Sequence, residues 1–343
     1  MHDSRLKVAQ VGVGNFGAYR RERLRETGLF ELVAAYDLNA EFLAQAERED
    51  GARPCDSYEE LLSTPGIEAV IISTGAKYHT EQAVIAAERG LHVLVEKPLC
   101  STPQEVEALL DVQRRSGVIM GVGHDDHQHR AASQTTKRMI DEGELGEIAA
   151  FERTTAHNGG LLIKPGDWRG DPEKNPGGML FQCGVHALHE LMFYFGPISQ
   201  VGCMMRYDIH TTATADVAIC NLKFASGLVG TLNAYHVAPY RHKLNIFGTK
   251  ANLYRKDASF DEAAKLWKQR THLDYQKEPQ ESISITGEDD NCGNVRSFYH
   301  AIRSGTPLYP SLEDGARAVA VVFAAEAAAI SGKTVDVMPI AKS

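Results

Sequence analysis

The sequence has no uninterrupted apolar run near the roughly 20 residues needed to span a bilayer, so no membrane-spanning helix is expected. It also lacks a basic tract. Its 36 basic and 45 acidic residues are mixed in sign along the chain and leave a formal charge of −9. Such a chain has no electrostatic footprint for phosphate-backbone binding, and nucleic acid is not an expected partner. The six cysteines (Cys55, Cys100, Cys183, Cys203, Cys220, Cys292) include no Cys-x-x-Cys pair. Scattered in this way they read as reduced core or loop thiols, not as a disulfide framework. No internal repeat or low-complexity segment is present. The start, Met1-His2-Asp3-Ser4-Arg5, leads into a strand-like segment without the n-region and h-region of a secretory leader. A cytoplasmic location is the expectation.

What is present is apolar content, 43% of 343 residues, enough to bury a sizeable core. The length suggests two domains or one large one. The first third alternates strand candidates (Leu6–Val13, Leu32–Tyr36, Ala69–Ile72, Val93–Val95, Val118–Val122) with helical stretches near Ala18–Glu26, Ala40–Glu49, His79–Glu88 and Gln104–Arg114. This βαβ series predicts a parallel sheet covered by helices on both faces. Thr102 as N-cap and Pro103 at the first helical position start the last of these helices.

After Gly123 the pattern changes, which places the expected domains at 1–123 and 124–343, the C-terminal helices being free to pack back on the first. A helix over Ala131–Asp141 precedes a strand near Ile148–Thr155 and a Gly/Pro/Asn-rich loop from His157 to Gly178. One helix, Met179–Phe195, follows and is closed by Gly196-Pro197. Five β-type runs between Gln200 and Arg255 predict a meander of antiparallel strands. Asp257–Asp290 has no strong period. Two helices, Gly293–Arg303 and Leu312–Ile330, end the chain.

Gly12-Val13-Gly14-Asn15-Phe16-Gly17 fits G-x-G-x-x-G, follows a strand and opens a helix. Asp37 lies twenty residues past Gly17, at the end of the next strand candidate. The first glycine makes the tight turn, the second admits a pyrophosphate to the backbone, and the third allows close helix–strand packing. The N–H groups of the helix start would hold the pyrophosphate. Asp37 is placed to accept from the ribose hydroxyls and repels a 2′-phosphate, while Leu38 and Asn39 supply no offsetting cation. NAD is therefore favoured over NADP.

Glu96-Lys97-Pro98 stands at the end of another strand candidate, where parallel strands face a ligand crevice. Together with the glycines, Ser73-Thr74 with His79 five residues on, and the preceding Leu91–Val95, it resembles the Gfo/Idh/MocA family of glucose–fructose oxidoreductase and inositol dehydrogenase-like enzymes. The resemblance continues through Leu145-Gly146, Trp168-Arg169, Pro176-Gly177-Gly178, Gly184-Val185-His186, Ser311–Gly315 and Ser331-Gly332. It implies an α/β fold: a Rossmann doubly wound parallel sheet, then an α/β domain with an open, mostly antiparallel sheet. It further implies NAD(P)-dependent oxidation or reduction of a carbinol carbon in a sugar, polyol or related compound, and homodimers or homotetramers formed through the outer face of the second sheet. The implied cofactor contacts are Gly12, Gly14, Asn15, Phe16, Gly17, Asp37, Thr74, His79, Glu96 and Lys97, although His79 also reads as structural.

The family commonly carries Asp-x-x-x-His on the helix after the double glycine, the histidine acting as acid/base. Here those positions are Gln182 and His186, four apart and so on one face of an α-helix. A histidine near its ordinary pKa suits proton transfer at neutral pH. Lys97 would hydrogen-bond the reacting oxygen. Gln182 departs from the usual aspartate and can orient a hydroxyl as donor and acceptor. His189 also stands where aspartate is usual, and His124, Trp168 and Arg169 are further candidates for substrate contact, with hinge or loop-anchoring roles as alternatives. Gln182, His186, His189 and the stretch Gly123–His129 invite a metal reading, but glutamine is a poor transition-metal ligand and no metal is assigned. Two other readings stay open: an NAD-retaining glycosidase or lyase working by transient oxidation, and a non-catalytic NAD-binding regulator.

Overall fold

The structure, a computed structural model, describes residues 5–210, 212–259, 262–272 and 277–341. The expectation drawn from Met1–Ser4 lies outside the described residues. The chain divides into two compact units. Residues 5–126 and 290–316 form the first, and 127–289 and 317–341 the second.

The first unit runs β1 (Leu6–Val11), α1 (Phe16–Thr27), β2 (Phe30–Tyr36), α2 (Ala40–Asp50), β3 (Arg53–Pro54), α3 (Tyr58–Leu62), β4 (Ala69–Ile72), α4 (Ala76–Glu88), β5 (His92–Val95), α5 (Pro103–Ser116) and β6 (Met120–Val122). Its strands pair in parallel in the order β3-β2-β1-β4-β5-β6. All four residues of β4 are buried, as expected of a strand covered on both faces. The strand order reverses between β1 and β4, and a crevice opens at the carboxyl ends of strands at such a switch point. β3 and α3 were not anticipated, because two and five residues are too short to show a period. β1 stops at Val11, two residues early, since Gly12 turns the chain at φ +77°. Thr102 caps α5 in a capping box with Glu105, and Pro103 opens the helix.

The second unit contains α6 (Ala131–Asp141), β7 (Ile148–Ala156), α7 (Val185–Phe195), β8 (Ile198–Arg206), β9 (Val217–Phe224), β10 (Val229–Tyr235), β11 (Arg241–Gly248), β12 (Ala251–Lys256), β13 (Lys265–Arg270) and β14 (Glu281–Ile283). With the terminal β15 (Val335–Asp336) they form a nine-stranded sheet, ordered β14-β13-β12-β11-β7-β10-β9-β8-β15. Along β9, Ala218, Cys220, Leu222 and Phe224 are buried while Ile219, Asn221 and Lys223 are exposed, so one face of the sheet is covered.

Three expectations need correction here. The meander is interrupted: β7 lies between β10 and β11, antiparallel to β11 and parallel to β10. Periodicity tells which side chains share a face but not which strand is the neighbour. The aperiodic stretch after Asp257 contains β13 and β14, charged strands at the sheet margin, where polar side chains are the rule. The helix Met179–Phe195 is not uniform. Leu180–Gly184 forms a π-helical turn, and α7 begins only at Val185.

Two helices complete the chain, α8 (Gly293–Ser304) and α9 (Leu312–Ser331). Val295, Phe298 and Tyr299 of α8 join Leu6, Val8, Phe30 and Leu32 in the core of the first unit. The Tyr299 ring meets Phe30 edge-on at 5.8 Å. Burying a side chain of that size contributes roughly 1.5–3 kcal/mol. Among the described residues no helix is long and apolar enough to cross a membrane.

Candidate active site

In the first unit the glycine loop leaves β1 and enters α1. A Cβ on Gly12 would lie 2.6 Å from the carbonyl oxygen of Ser73, and one on Gly17 would lie 2.1 Å from that of Gly12. Both contacts are to backbone, so only glycine fits there. A Cβ on Gly14 would instead strike the Phe42 ring, at 1.9 Å. Asn15 has φ 46°, in the left-handed region. Two side chains brace this loop. Buried Gln10 donates from Nε2 to the carbonyls of Gly12 and Gly17 at 3.0 and 2.9 Å. Asp37 Oδ2 accepts from the N–H of Val13 at 2.8 Å and of Gly14 at 3.4 Å, and Oδ1 accepts from Asn39 N–H at 2.9 Å. A carboxylate oxygen has two lone pairs, so Asp37 can hold the loop and still accept from a ribose hydroxyl. The Cβ-free cradle and this carboxylate fit a dinucleotide.

Lys97 follows β5 and is half-buried. Its neighbour Glu96 is buried, and Oε1 accepts from Arg20 Nε at 2.6 Å with Nη2 at 2.5 Å. Glu96 Oε2 accepts from the Lys97 N–H at 3.3 Å. Arg20 Nη1 also donates to Asn294 Oδ1 at 3.0 Å, and Asn294 Nδ2 to the carbonyl of His124 at 3.0 Å. The Glu96 carboxylate fills the space beside Gly123, where a Cβ would come within 2.6 Å of it. Glu96 is thus a buried anchor under Lys97, and the Lys97 ammonium lies 5.9 Å from the centre of the Phe16 ring in the glycine loop.

His79 Nδ1 lies 3.0 Å from the carbonyl of Pro98 and Nε2 2.9 Å from that of Thr74. Burial lowers its pKa against the pull of those carbonyls, and a neutral ring can donate to one of the two while only facing the other. Thr74 Oγ1 donates to Gln82 Oε1 at 2.6 Å. His124, a candidate for substrate contact, is fully buried.

In the second unit the residues before α7 depart from α geometry. Gln182 sits in the π turn and His186 in the first turn of α7, both half-buried, so the one-face argument from four-residue spacing does not carry over unchanged. His189 lies inward, 3% exposed, its ring 5.2 Å from that of His127. Next to it, Glu190 is buried among cations. Arg255 Nη2 lies 2.6 Å and Arg153 Nη2 3.3 Å from its oxygens, and the Tyr194 hydroxyl donates to it at 2.9 Å. Both arginines also pair with Asp257, at 2.5 and 2.7 Å. Burial opposes the charge on Glu190, but Arg255 and Arg153 outweigh it and hold the pKa far below the usual range. Trp168 and Arg169 lie on a short 3₁₀ turn, the guanidinium 4.8 Å from the indole centre. The Arg169 carbonyl accepts from Asn175 Nδ2 at 2.7 Å and Thr214 Oγ1 at 2.9 Å, which anchors the backbone and leaves both side chains outermost. Among the described residues no group of three or more His, Cys, Asp or Glu side chains could hold a metal ion.

Residues 6–124 match the model of an oxidoreductase family with an NAD-binding Rossmann fold, and residues 133–254 match the GFO/IDH/MocA C-terminal domain. The chain belongs to the Gfo/Idh/MocA oxidoreductase family. Among its family relatives, scyllo-inositol 2-dehydrogenase (NAD(+)) of Bacillus subtilis (strain 168) is 28% identical over 262 residues, 74% of each chain. The 1,5-anhydro-D-fructose reductase of Ensifer adhaerens is 27% identical over 237 residues, 67% of this chain and 69% of that one. A solved chain from Desulfitobacterium hafniense DCB-2, 26% identical, superposes with a TM-score of 0.91 over 97% of this chain and 98% of its own. Levoglucosan dehydrogenase in complex with NADH shares the fold at 22% identity, with a TM-score of 0.87 over 98% and 100% of the two chains. The protein is therefore an oxidoreductase that uses NAD.

The family motifs pointed to Glu96 and Lys97, but Gln10, Arg20, Asn294, Arg153, Glu190 and Arg255 were missed. A polar or charged residue amid an apolar pattern was the available signal, as for Gln10 within Val8–Val11. The partners of each could not be read, since Arg20 and Asn294 are 274 positions apart.

Proposed function

We propose that the protein is an NAD-dependent dehydrogenase acting on a secondary alcohol of a sugar, polyol or sugar derivative. The observation that carries this reading is the juxtaposition, within the first unit, of the Lys97 ammonium and Phe16 of the glycine cradle, 5.9 Å apart. A cation beside the cofactor loop is what alcohol oxidation needs where negative charge develops on oxygen. The relatives named for inositol and anhydrofructose chemistry support the substrate class.

Gly12, Gly14, Asn15, Phe16, Gly17 and Asp37 would hold NAD, which supplies the hydride acceptor. His186 takes the hydroxyl proton, Lys97 stabilises the developing alkoxide, and Gln182 orients the substrate by hydrogen bonds. Glu96 holds the Lys97 backbone in place. Trp168 and Arg169, outermost on their turn, contact the more distant substrate hydroxyls. The cysteines, spread along the sequence without a Cys-x-x-Cys pair, support a cytoplasmic setting.

We further infer a homodimer or homotetramer formed through the outer face of the nine-stranded sheet. Met204, Ile219 and Val229 are exposed there, and a groove of about 470 Å³ runs beside Glu152, Asn221 and Thr231. Met204→Glu should shift the light-scattering mass toward the monomer. An unchanged mass would place the contact elsewhere.

The deciding experiment follows NADH absorbance with NAD and a panel of inositols, aldoses and glycosides. His186→Ala should lower turnover by about 10²–10⁴-fold while leaving NADH affinity unchanged. Full activity in that variant would remove the assignment, and release of free sugar without net NADH would replace dehydrogenation by an internal redox cycle.

A further inference from the structure

β8 and β9 run antiparallel, and Cys203 and Cys220 are register partners in that pairing. Both side chains therefore stand on one face of the sheet, the covered one, where Cys220 lies between buried Ala218 and Leu222. Directly opposed residues in an antiparallel pair have Cα atoms about 4.5 or 5.5 Å apart, and a disulfide spans about 4.4–6.8 Å. The register thus satisfies the backbone condition for a bond, and the side chains have already met. Cys220 Sγ donates to Cys203 Sγ at 3.3 Å, and Cys203 Sγ to the carbonyl of Met204 at 3.7 Å. The other four thiols have an oxygen or a nitrogen at hand instead. These are the carbonyl of Arg53 for Cys55, that of Thr102 for Cys100, the His157 ring for Cys183 and the Glu26 carboxylate for Cys292.

The two thiols differ in access. Cys203 is half-buried, whereas Cys220 is 1% exposed. The hydrogen bond to Cys203, then burial, hold the Cys220 thiol well above its ordinary pKa, so it stays protonated at neutral pH. An attacking sulfur within reach of solvent therefore has a resolving sulfur directly behind it. The pair lies at the base of the connection between β8 and β9. From that connection Thr214 Oγ1 donates to the carbonyl of Arg169 at 2.9 Å, and the Ala213 N–H to that of Gly170 at 3.3 Å. A bond between the two sulfurs would close the loop that holds the Trp168-Arg169 turn.

We infer that Cys203 and Cys220 form a modification site, an oxidisable dithiol that a hydroperoxide converts to a reversible disulfide between β8 and β9. With hydrogen peroxide, the Cys203 thiolate attacks one peroxide oxygen. The S–O bond forms, the O–O bond breaks, and the leaving hydroxide takes up the proton that Cys203 gave up. Cys203 is then a sulfenic acid. The Cys220 sulfur attacks the Cys203 sulfur, the S–S bond forms and the S–O bond breaks, and the departing hydroxide carries off the Cys220 proton as water. Two thiols have lost two electrons, and one peroxide has become two waters. A small dithiol reverses the change by thiol–disulfide exchange.

The test treats the reduced full-length protein with hydrogen peroxide and removes the excess with catalase. Remaining thiols are blocked with N-ethylmaleimide under denaturing conditions, and the peptides are mapped by mass spectrometry. The expected product is a linked pair of peptides carrying Cys203 and Cys220, lighter by two hydrogens than the reduced pair and separated by dithiothreitol. Because the register already suits the bond, the oxidised protein should gain roughly 5–10 °C in Tm. Cys220→Ser should stop at the sulfenic acid, trapped on Cys203 by dimedone, and Cys203→Ser should give no link. Both thiols still alkylated after peroxide, a link to another cysteine, or a fall in Tm on oxidation would overturn the inference. The wild-type peptide map decides the point by itself where a variant does not fold.

Discussion

Each unit buries a carboxylate beside a residue assigned to the chemistry, and the two are neutralised differently. In the first unit Glu96 precedes Lys97 and is ion-paired with Arg20, with Asn294 behind it. In the second, Glu190 lies one turn past His186 and is ion-paired with Arg153 and Arg255, which also share Asp257. The difference teaches where each site is vulnerable. A single buried pair fails when either partner is removed, while a four-member network redistributes its charge.

The largest effect should come from breaking the single pair. Arg20→Met should lower stability by roughly 3–5 kcal/mol in urea unfolding, since it leaves Glu96 buried and unpaired. Arg20→Met/Glu96→Gln should recover much of that loss, and a double variant as weak as the single would show that the pair is not the cause. Removing one arm of the network should matter less. Arg153→Met should cost about 1–3 kcal/mol, because Arg255 still faces both carboxylates. Equal losses for Arg20 and Arg153 would erase the contrast.

Acid sharpens it further. The pKa of Glu190 is lowered by folding, so its contribution is present above the ordinary glutamate value of 4.5 and is lost as pH falls below it. Wild type should lose stability faster than Glu190→Gln through that window, and parallel curves would exclude Glu190 as the linked group. The smallest effect lies outside both sites. Thr102→Ala, which opens the α5 capping box, should cost about 1 kcal/mol and leave turnover unchanged.

The first unit was legible because its signals are local. Gly12, Gly14 and Gly17 lie within six residues, Thr102-Pro103 marks its own helix, and the alternation of strand and helix implies parallel pairing. The candidate site was less so. Lys97 could be placed at a strand end, but the arginine that anchors its neighbour could not, and His79 turned out to lie between two backbone carbonyls. In the second unit Gln182 and His186 were found by motif, yet the π turn between them leaves no mark in the periodicity.

By itself the sequence determined the parallel first sheet, the glycine cradle, the carboxylate of Asp37 and the residue types at Lys97 and His186. These follow from short-range sterics and hydrogen bonding, which act between residues a few positions apart. Only the tertiary structure decided that β7 pairs with β10 and that Arg20, Arg153 and Arg255 meet their carboxylates. Those outcomes depend on which distant segments exclude water from one another, and a buried charge selects its partner only once the chain has closed around it.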